Sequence, residues 1–383
     1  MVIRVVYGTA GTGKTFVLVK EAEQLISRGR KVVILCPTHS SKRNIKERCS
    51  LSNVIITTYF AFYRINYRTM NIIGYVDEPD NLLFDEFSMI DRELFKSMMQ
   101  RTSSKIDITL YGDPAQLNPV GCSRSARISM SMLKRCMDDH MSYQLIYHYV
   151  GSVFSTKQFR RSKKYKLTVN HRANEKIGSV IRELFFNSGV PHLDYIGRMT
   201  VEQRMRTGEW TLIASTYQSL ESVYEAVSEC SENNSNRSYD VIVKCCSSVP
   251  HLRQLYFSNG ERFFVGENTD DFTNGEIVVA EVLGDGSVVL TSEDTKRSSL
   301  YRGEISLLPL RFLSAHKSQG MTIPRVIVCV DKLFEPSLLY TMVTRASIDV
   351  CFYREESNDD EVIRHLRETN TLLAYYGYSI SSD

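Results

Sequence analysis

The sequence lacks several features that would narrow its class at once. No apolar run approaches the roughly 18 residues needed to cross a bilayer as a helix, so a helical membrane protein is excluded. The opening MVIRVVYGTAGTGKT has only a short strand-like apolar run before a glycine-rich segment. No cleavable export signal is expected there. The nine cysteines are scattered and none forms C-x-x-C, which leaves neither a zinc ribbon nor a thioredoxin-type site. Buried thiols in a reducing, intracellular compartment are expected instead, the adjacent Cys245 and Cys246 included. Charge is not in excess either way: 47 Lys and Arg stand against 44 Asp and Glu, a net +3. That balance neither requires nor forbids a nucleic-acid partner, because a strand-gripping groove needs only local positive charge. Repeats and low-complexity tracts are also missing.

What is there describes a globular chain. It has 383 residues, of which 43% are hydrophobic and 24% charged, enough for two domains of ordinary size. Val2–Val6 is a β-branched strand ending at Gly8. A helix should follow over Lys14–Ser27, with Phe16, Val17, Val19, Ala22, Leu25 and Ile26 as its apolar face. Arg28-Gly29-Arg30 stops it, and the run Lys31–Cys36 reads as a buried strand ended by Pro37. Leu82–Phe84 and Ile108–Tyr111 are two further short strands, each running into acidic residues. Strand–helix alternation of this kind predicts a parallel sheet covered by helices on both faces. In such sheets ligands bind beyond the carboxyl ends of the strands, so motifs at those ends should converge.

The pattern restarts with strand candidates at Lys166–Val169, Thr211–Ala214, Asp240–Lys244 and Val326–Val330, separated by helical stretches at Ala173–Asn187 and Leu220–Cys230. The expected organisation is a first α/β domain over 1–164 and a second over 165–383. Between about 260 and 310, short β runs alternate with Asn274-Gly275 and Asp285-Gly286 turns, as in a small antiparallel barrel inserted in the second domain.

Gly8, Thr9, Ala10, Gly11, Thr12, Gly13, Lys14 and Thr15 match G-x-x-x-x-G-K-[ST] in full. The glycines let backbone N–H groups wrap phosphates, and the helix that opens at Lys14 points its positive end at them. Lys14 should reach the β- and γ-phosphates, and Thr15 should hold Mg²⁺. Asp85 and Glu86 follow the strand Leu82–Phe84. Asp85 suits the outer shell of Mg²⁺ and Glu86 suits a general base on the attacking water. Gln116, in YGDPAQLNP, could bond the γ-phosphate or its water. Read singly, a D-E pair or a Gly-Asp-Pro segment is an ordinary turn; strand context favours the functional reading.

Taken together and in order, these motifs resemble those of superfamily 1 helicases. Cys36-Pro37-Thr38-His39 resembles the family's motif Ia, and Thr57-Thr58-Tyr59-Phe60 the next strand-contacting element. Asn170-His171-Arg172 resembles the fourth motif, HKSQGMT over 316–322 the fifth, and YTMVTRAS over 340–347 the sixth. DEFSMID, GDPAQLNPV and HKSQGMT look most like the RecD and PIF branch, phage and viral helicases included. The resemblance implies two tandem RecA-like α/β domains. It implies an ATP-dependent helicase or translocase on single-stranded nucleic acid, DNA before RNA, moving 5′ to 3′. It assigns Arg172 and Arg345 to the γ-phosphate from the second domain, and Gln319 to the nucleotide. It assigns Thr38, His39, Thr58, Phe60, His316, Lys317 and Thr322 to the strand. ATP, other NTPs and Mg²⁺ are the implied ligands; replication proteins are further partners, and the core is expected to be monomeric.

Three departures from the family pattern stand out. Only seven residues precede Gly8, where the family carries a glutamine segment that reads adenine, so hydrolysis of several NTPs is expected. Cys49–Val54 leaves no room for a sizeable strand-splitting pin. Thr344 precedes Arg345 in the sixth motif, a variant that leaves the arginine in place. Other readings stay open. Arg172 and Arg345 could be salt-bridge partners, His316 a satisfied histidine, and Tyr59 and Phe60 core aromatics. The basic run Phe159–Lys166 could be a solvated loop rather than a phosphate contact. The rival functions are a viral RNA-stimulated NTPase, a phosphate-loop NTPase acting on a protein, and a non-catalytic binding module.

Overall fold

The computed structural model describes residues 2–49, 53–66, 69–75, 78–118, 152–186, 193–229, 240–242, 254–303, 305–376 and 378. The chain forms two compact units. The first comprises Met1–Val190, Glu335–Thr344 and Ile363–Asp383; the second comprises Pro191–Phe334 and Arg345–Val362. The strands are β1 (Ile3–Gly8), β2 (Val32–Cys36), β3 (Ile55–Thr58), β4 (Asn81–Phe84), β5 (Asp107–Gly112), β6 (Lys163–Leu167), β7 (Trp210–Ala214), β8 (Asp240–Ile242), β9 (Gln254–Tyr256), β10 (Arg262–Val265), β11 (Ile277–Val282), β12 (Val288–Ser292), β13 (Ser298–Leu300), β14 (Leu307–Pro309), β15 (Phe312–Ser314), β16 (Ile323–Cys329) and β17 (Ala346–Tyr353). The helices are α1 (Lys14–Ser27), α2 (His39–Arg48), α3 (Tyr59–Phe62), α4 (Arg92–Arg101), α5 (Lys157–Arg161), α6 (Glu175–Phe185), α7 (Arg198–Arg206), α8 (Gln218–Glu229), α9 (Leu338–Val343) and α10 (Asp359–Tyr375).

In the first unit, six strands pair in the order β3-β2-β4-β5-β1-β6, all parallel. Alternation along each strand divides the core between the two faces. Val5, Val33, Leu35, Leu82, Phe84, Ile108 and Leu110 face Phe62 of α3 and Leu94, Phe95 and Met98 of α4. Val6, Val32, Ile34, Cys36, Leu83 and Tyr111 face Leu18, Val19 and Ala22 of α1 and Ile45 of α2. Because both faces are covered, β2 and β4 are apolar almost throughout and buried at every position. Full burial of such a side chain gives about 1.5–3 kcal/mol.

The helix over 14–27 forms as expected, but its apolar face differs. Phe16 is 62% exposed, while Leu18 is buried. At 100° per residue, Leu18, Val19 and Ala22 share one stripe, and Phe16 lies well off it. A larger correction concerns β6, expected as Lys166–Val169 to open the second domain. It spans Lys163–Leu167 and pairs parallel with β1, Gly8 opposite Leu167. Lys163–Leu167 therefore belongs to the first sheet and the segment through Phe186 to the first unit, and the expected boundary at 164/165 moves downstream.

The second unit holds a parallel sheet, β15-β7-β16-β17, and an antiparallel sheet, β13-β12-β11-β10-β14. The latter is the β-rich insertion read from 260–310. Leu212, Ala214 and Ile327 of the parallel sheet share one apolar core with Phe263, Val265, Val278 and Leu290 of the antiparallel one. The strand expected at Asp240–Lys244 is β8, which pairs antiparallel with β9 and stays outside the parallel sheet. Among the described residues Cys36, Cys49 and Cys329 are buried free thiols, whereas Cys351 is a half-buried one. Cys245 and Cys246 lie outside the described residues. No helix among the described residues is long and apolar enough to cross a membrane.

Candidate functional site

The parallel register of the first sheet brings its motifs to one edge. Tyr7 pairs with Gly112, Phe84 with Leu110, Leu35 with Phe84, and Cys36 with Thr58. The turns after β1, β2, β3, β4, β5 and β6 thus leave the sheet on the same side. They carry the glycine loop, Thr38, Thr58, Asp85, Asp113 and Asn170.

The loop 8–15 runs from the end of β1 into the first turn of α1. Lys14 is buried, and its Nζ donates to Gly8 O at 2.9 Å and Thr9 O at 2.8 Å. Gly11 sits at φ +85°, a left-handed conformation that glycine adopts without penalty. A Cβ there would also stand 2.5 Å from Asn170 Oδ1 and 2.9 Å from Arg172 Cβ. That crowding records a docked segment. Asn170 Nδ2 donates to Ala10 O at 3.0 Å, and His171 N donates to Gly11 O at 2.8 Å. Asn170 Oδ1 accepts from Arg172 N at 2.9 Å and Ala173 N at 3.1 Å, which turns the chain at Arg172. Arg172, expected from the second domain, therefore lies in the first unit beside the loop. The reason is the pairing of β6 with β1.

Asp85 is buried, and its Oδ2 accepts from Ser41 Oγ at 3.0 Å. Burial, then the neighbouring Glu86 charge, push its carboxyl well above the ordinary carboxylate range; Ser41 and Lys14 pull the other way. Glu86 takes φ 45°, ψ 49°, rare for a residue with a Cβ and costing on the order of 1–3 kcal/mol. Phe87 holds this turn down. Its ring packs edge-on against Phe154 at 5.3 Å and lies so close to Gly112 that a Cβ there would be 2.6 Å away. The strained turn leaves Glu86 Oε2 buried with no hydrogen-bond partner. Among the described residues no group of three or more His, Cys, Asp and Glu could enclose a metal alone. A buried Asp85 that feels the Lys14 charge of the glycine loop still fits Mg²⁺, which takes one or two protein ligands and completes its shell with phosphate and water.

Gln116 is buried, and its Nε2 donates to Asp113 Oδ2 at 3.3 Å. Sequence reading missed four participants here. Ser41 orients Asp85, Asp113 orients Gln116, and Tyr340 and Tyr378 both donate to Asp113, at 2.9 and 3.0 Å. Only spacing from a motif could have flagged Ser41. Tyr340 stands in the sixth motif, and nothing in the sequence marks Tyr378.

Of the residues that the resemblance assigns to the nucleic-acid strand, Thr38 and Thr58 have local work. Thr38 Oγ1 caps α2 by accepting from Ser41 N at 3.1 Å, and Thr58 Oγ1 caps α3 by accepting from Ala61 N at 3.2 Å. His39 is exposed and Phe60 half-buried, both on the motif edge; Tyr59 is core. In the second unit, Ser314–Met321 folds as successive turns. Lys317 N donates to Ser314 Oγ, Ser318 Oγ to Ala315 O and Met321 N to Ser318 O. Arg345 is 1% exposed, and its Nη1 donates to Met321 O at 3.4 Å. The sixth-motif arginine thus braces the fifth-motif loop. Gln319 is buried, His316 half-buried, and Lys317 and Thr322 exposed. Burial holds the His316 imidazole below its ordinary 6.5, so it is neutral at pH 7.

A family model described as an AAA domain matches residues 2–122. The ATP-dependent DNA helicase dda of Enterobacteria phage T4 is 34% identical over 122 residues, 30% of this chain and 27% of that protein. The chain thus spans about a quarter of that relative's length. Solved structures share the fold, two of them Pif1 helicases. Pif1 of Bacteroides bound to single-stranded DNA has a TM-score of 0.57 at 16% identity, covering 93% of this chain and 89% of that one. Pif1 helicase of Candida albicans has 0.57 at 16% identity, covering 98% and 95%. The two RecA-like domains with a β-rich insertion are therefore the fold of this chain.

Proposed function

From a chain that resembles superfamily 1 helicases of the PIF1-like branch in both motif order and fold, we propose an ATP-dependent DNA helicase that moves 5′ to 3′ on single-stranded DNA. The observation that carries this reading is the gathering of the glycine loop, Asp85, Glu86, Gln116 and Arg172 at one edge of one sheet.

In this reading, backbone N–H groups of residues 11–15 and Lys14 bind the triphosphate. Thr15 and Asp85 hold Mg²⁺, which neutralises phosphate charge when bound. The unpartnered Glu86 Oε2 accepts from the attacking water, and its strained backbone keeps that oxygen turned away from other donors. Arg172 meets charge on the γ-phosphate, a role that can contribute about 10³–10⁵ in rate. Arg345 has the same assignment by resemblance, and Gln319 a nucleotide contact. Gln116 reports the state of the γ-phosphate. His39, Phe60, His316, Lys317 and Thr322 contact the strand. His316 does so as a neutral hydrogen-bonding group. Thr38 and Thr58 act there chiefly as the caps that shape their turns.

The test compares NTP turnover without polymer, with single-stranded DNA and with single-stranded RNA, followed by unwinding of duplexes with 5′ or 3′ tails. Stimulation by DNA and unwinding from the 5′ tail are expected. Equal turnover in all three conditions would refute a nucleic-acid motor, and stimulation by RNA alone would move the substrate to RNA.

A further inference from the structure

The carboxylate of Asp113 is fully buried and accepts four hydrogen bonds. Oδ1 takes Ala115 N at 3.0 Å and Tyr378 Oη at 3.0 Å. Oδ2 takes Gln116 Nε2 at 3.3 Å and Tyr340 Oη at 2.9 Å. A carboxylate offers about four lone-pair sites, so this one is saturated. Two of the donors are local to its own turn. The other two are phenols from distant segments of the chain, one on α9 and one beyond α10.

Each phenol is itself fixed. The Tyr340 ring meets Phe185 edge-on at 5.5 Å, and its oxygen accepts from Ala10 N of the glycine loop at 3.3 Å. The next residue on α9, Thr341, accepts from Leu117 N at 3.3 Å, so this helix grips the Gln116 turn twice. The Tyr378 ring stands 6.1 Å from Tyr7 of β1 and has the Lys166 ammonium over it at 5.5 Å. Burial and the Asp113 charge keep the Tyr378 phenol protonated, hence a donor.

We propose that Tyr340 and Tyr378 are positioning residues of the NTPase site, which hold the Asp113 carboxylate in the one orientation that aims Gln116 and tie that orientation to the glycine loop. The proposal rests on the NTPase reading above. A carboxylate with two donors per oxygen cannot rotate without stranding one of them in a dry environment, which costs more than the bond itself returns. Take one phenol away and the carboxylate is free to turn, carrying the Gln116 amide with it. The Tyr340 oxygen adds a connection the local turn lacks: it touches the glycine loop on one side and Asp113 on the other. Movement of α9 therefore reaches both the phosphate cradle and its sensor.

The test is a double-mutant cycle on steady-state NTP turnover. Tyr378→Phe keeps the ring and its packing and removes one donor. It is expected to lower kcat about tenfold with KM for NTP changed less than threefold. Gln116→Ala lowers kcat by itself; in that background Tyr378→Phe is expected to change kcat less than twofold, since there is no amide left to aim. Tyr340→Phe provides a second variant with the same expected pattern. Thermal melting of each variant establishes that the fold is retained. Equal losses from Tyr378→Phe in both backgrounds, or none in either, would overturn the positioning role while leaving a wild-type turnover abolished by Lys14→Ala intact. A wild-type chain without NTP turnover would overturn the NTPase reading and this inference with it.

Discussion

The turn at Arg172 can be loosened without touching the arginine. Asn170→Ala removes three hydrogen bonds: the donation to Ala10 O at 3.0 Å and the acceptances from Arg172 N at 2.9 Å and Ala173 N at 3.1 Å. The site is partly exposed, so each bond contributes about 0.5–1 kcal/mol and the set about 2 kcal/mol. The donation of His171 N to Gly11 O remains, so the segment stays on the loop while Arg172 loses its fixed direction. If Arg172 acts on the γ-phosphate, the loss falls on the transition state. At about 1.4 kcal/mol per factor of ten, kcat should drop about thirtyfold, with KM for NTP within threefold. Asn170→Asp keeps both acceptances and places a negative charge beside the phosphate loop. It should restore kcat towards wild type and raise KM. The assay is strand-stimulated NTP turnover at saturating polymer. A kcat within twofold of wild type for Asn170→Ala, or a loss confined to KM, would refute the docked-turn argument.

Three further outcomes follow from the same geometry. Lys14→Ala should abolish turnover while leaving single-strand affinity largely intact, measured by hydrolysis and by fluorescence anisotropy; robust hydrolysis would remove the loop from the site. Thr58→Ala should cost about 1 kcal/mol of stability through the lost α3 cap, and Thr58→Ser should recover most of it in denaturant melts; no loss would mean the cap at 3.2 Å is dispensable. His365 is buried and its pKa is lowered to about 3, chiefly by burial and secondarily by Arg364. The unfolded chain therefore binds a proton that the folded chain refuses between pH 6.5 and about 3. This histidine should lower stability as pH falls through that window, by about 1.4 kcal/mol per unit. The slope difference between wild type and His365→Leu isolates it, and identical slopes would contradict the buried neutral assignment.

Much of the first sheet was legible because its signals are local. KVVILC and LLF followed by acids announce buried parallel strands, and the glycine loop announces its own turn and helix. The β-rich insertion was visible from Asn274-Gly275 and Asp285-Gly286. What escaped was decided by long-range pairing. Nothing in Lys163–Leu167, exposed along its first three residues, says that it completes the first sheet beside β1. Yet that pairing moves Arg172 from one unit to the other. Ser41, Asp113 and Tyr378 matter for where they point after folding, and Thr38 and Thr58 show the converse. Their motif positions suggested contacts, while their hydroxyls close helix ends.

The first unit is gathered from three stretches of chain with residues 191–334 and 345–362 between them. A ribosome therefore releases the phosphate loop and the Asp113 turn long before Tyr340, and Tyr340 before Tyr378. Until those phenols emerge, the nascent domain has a carboxylate to bury and too few donors to bury it with. A chain stalled partway through translation would carry an intact glycine loop beside an Asp113 carboxylate that still lacks two of its four donors.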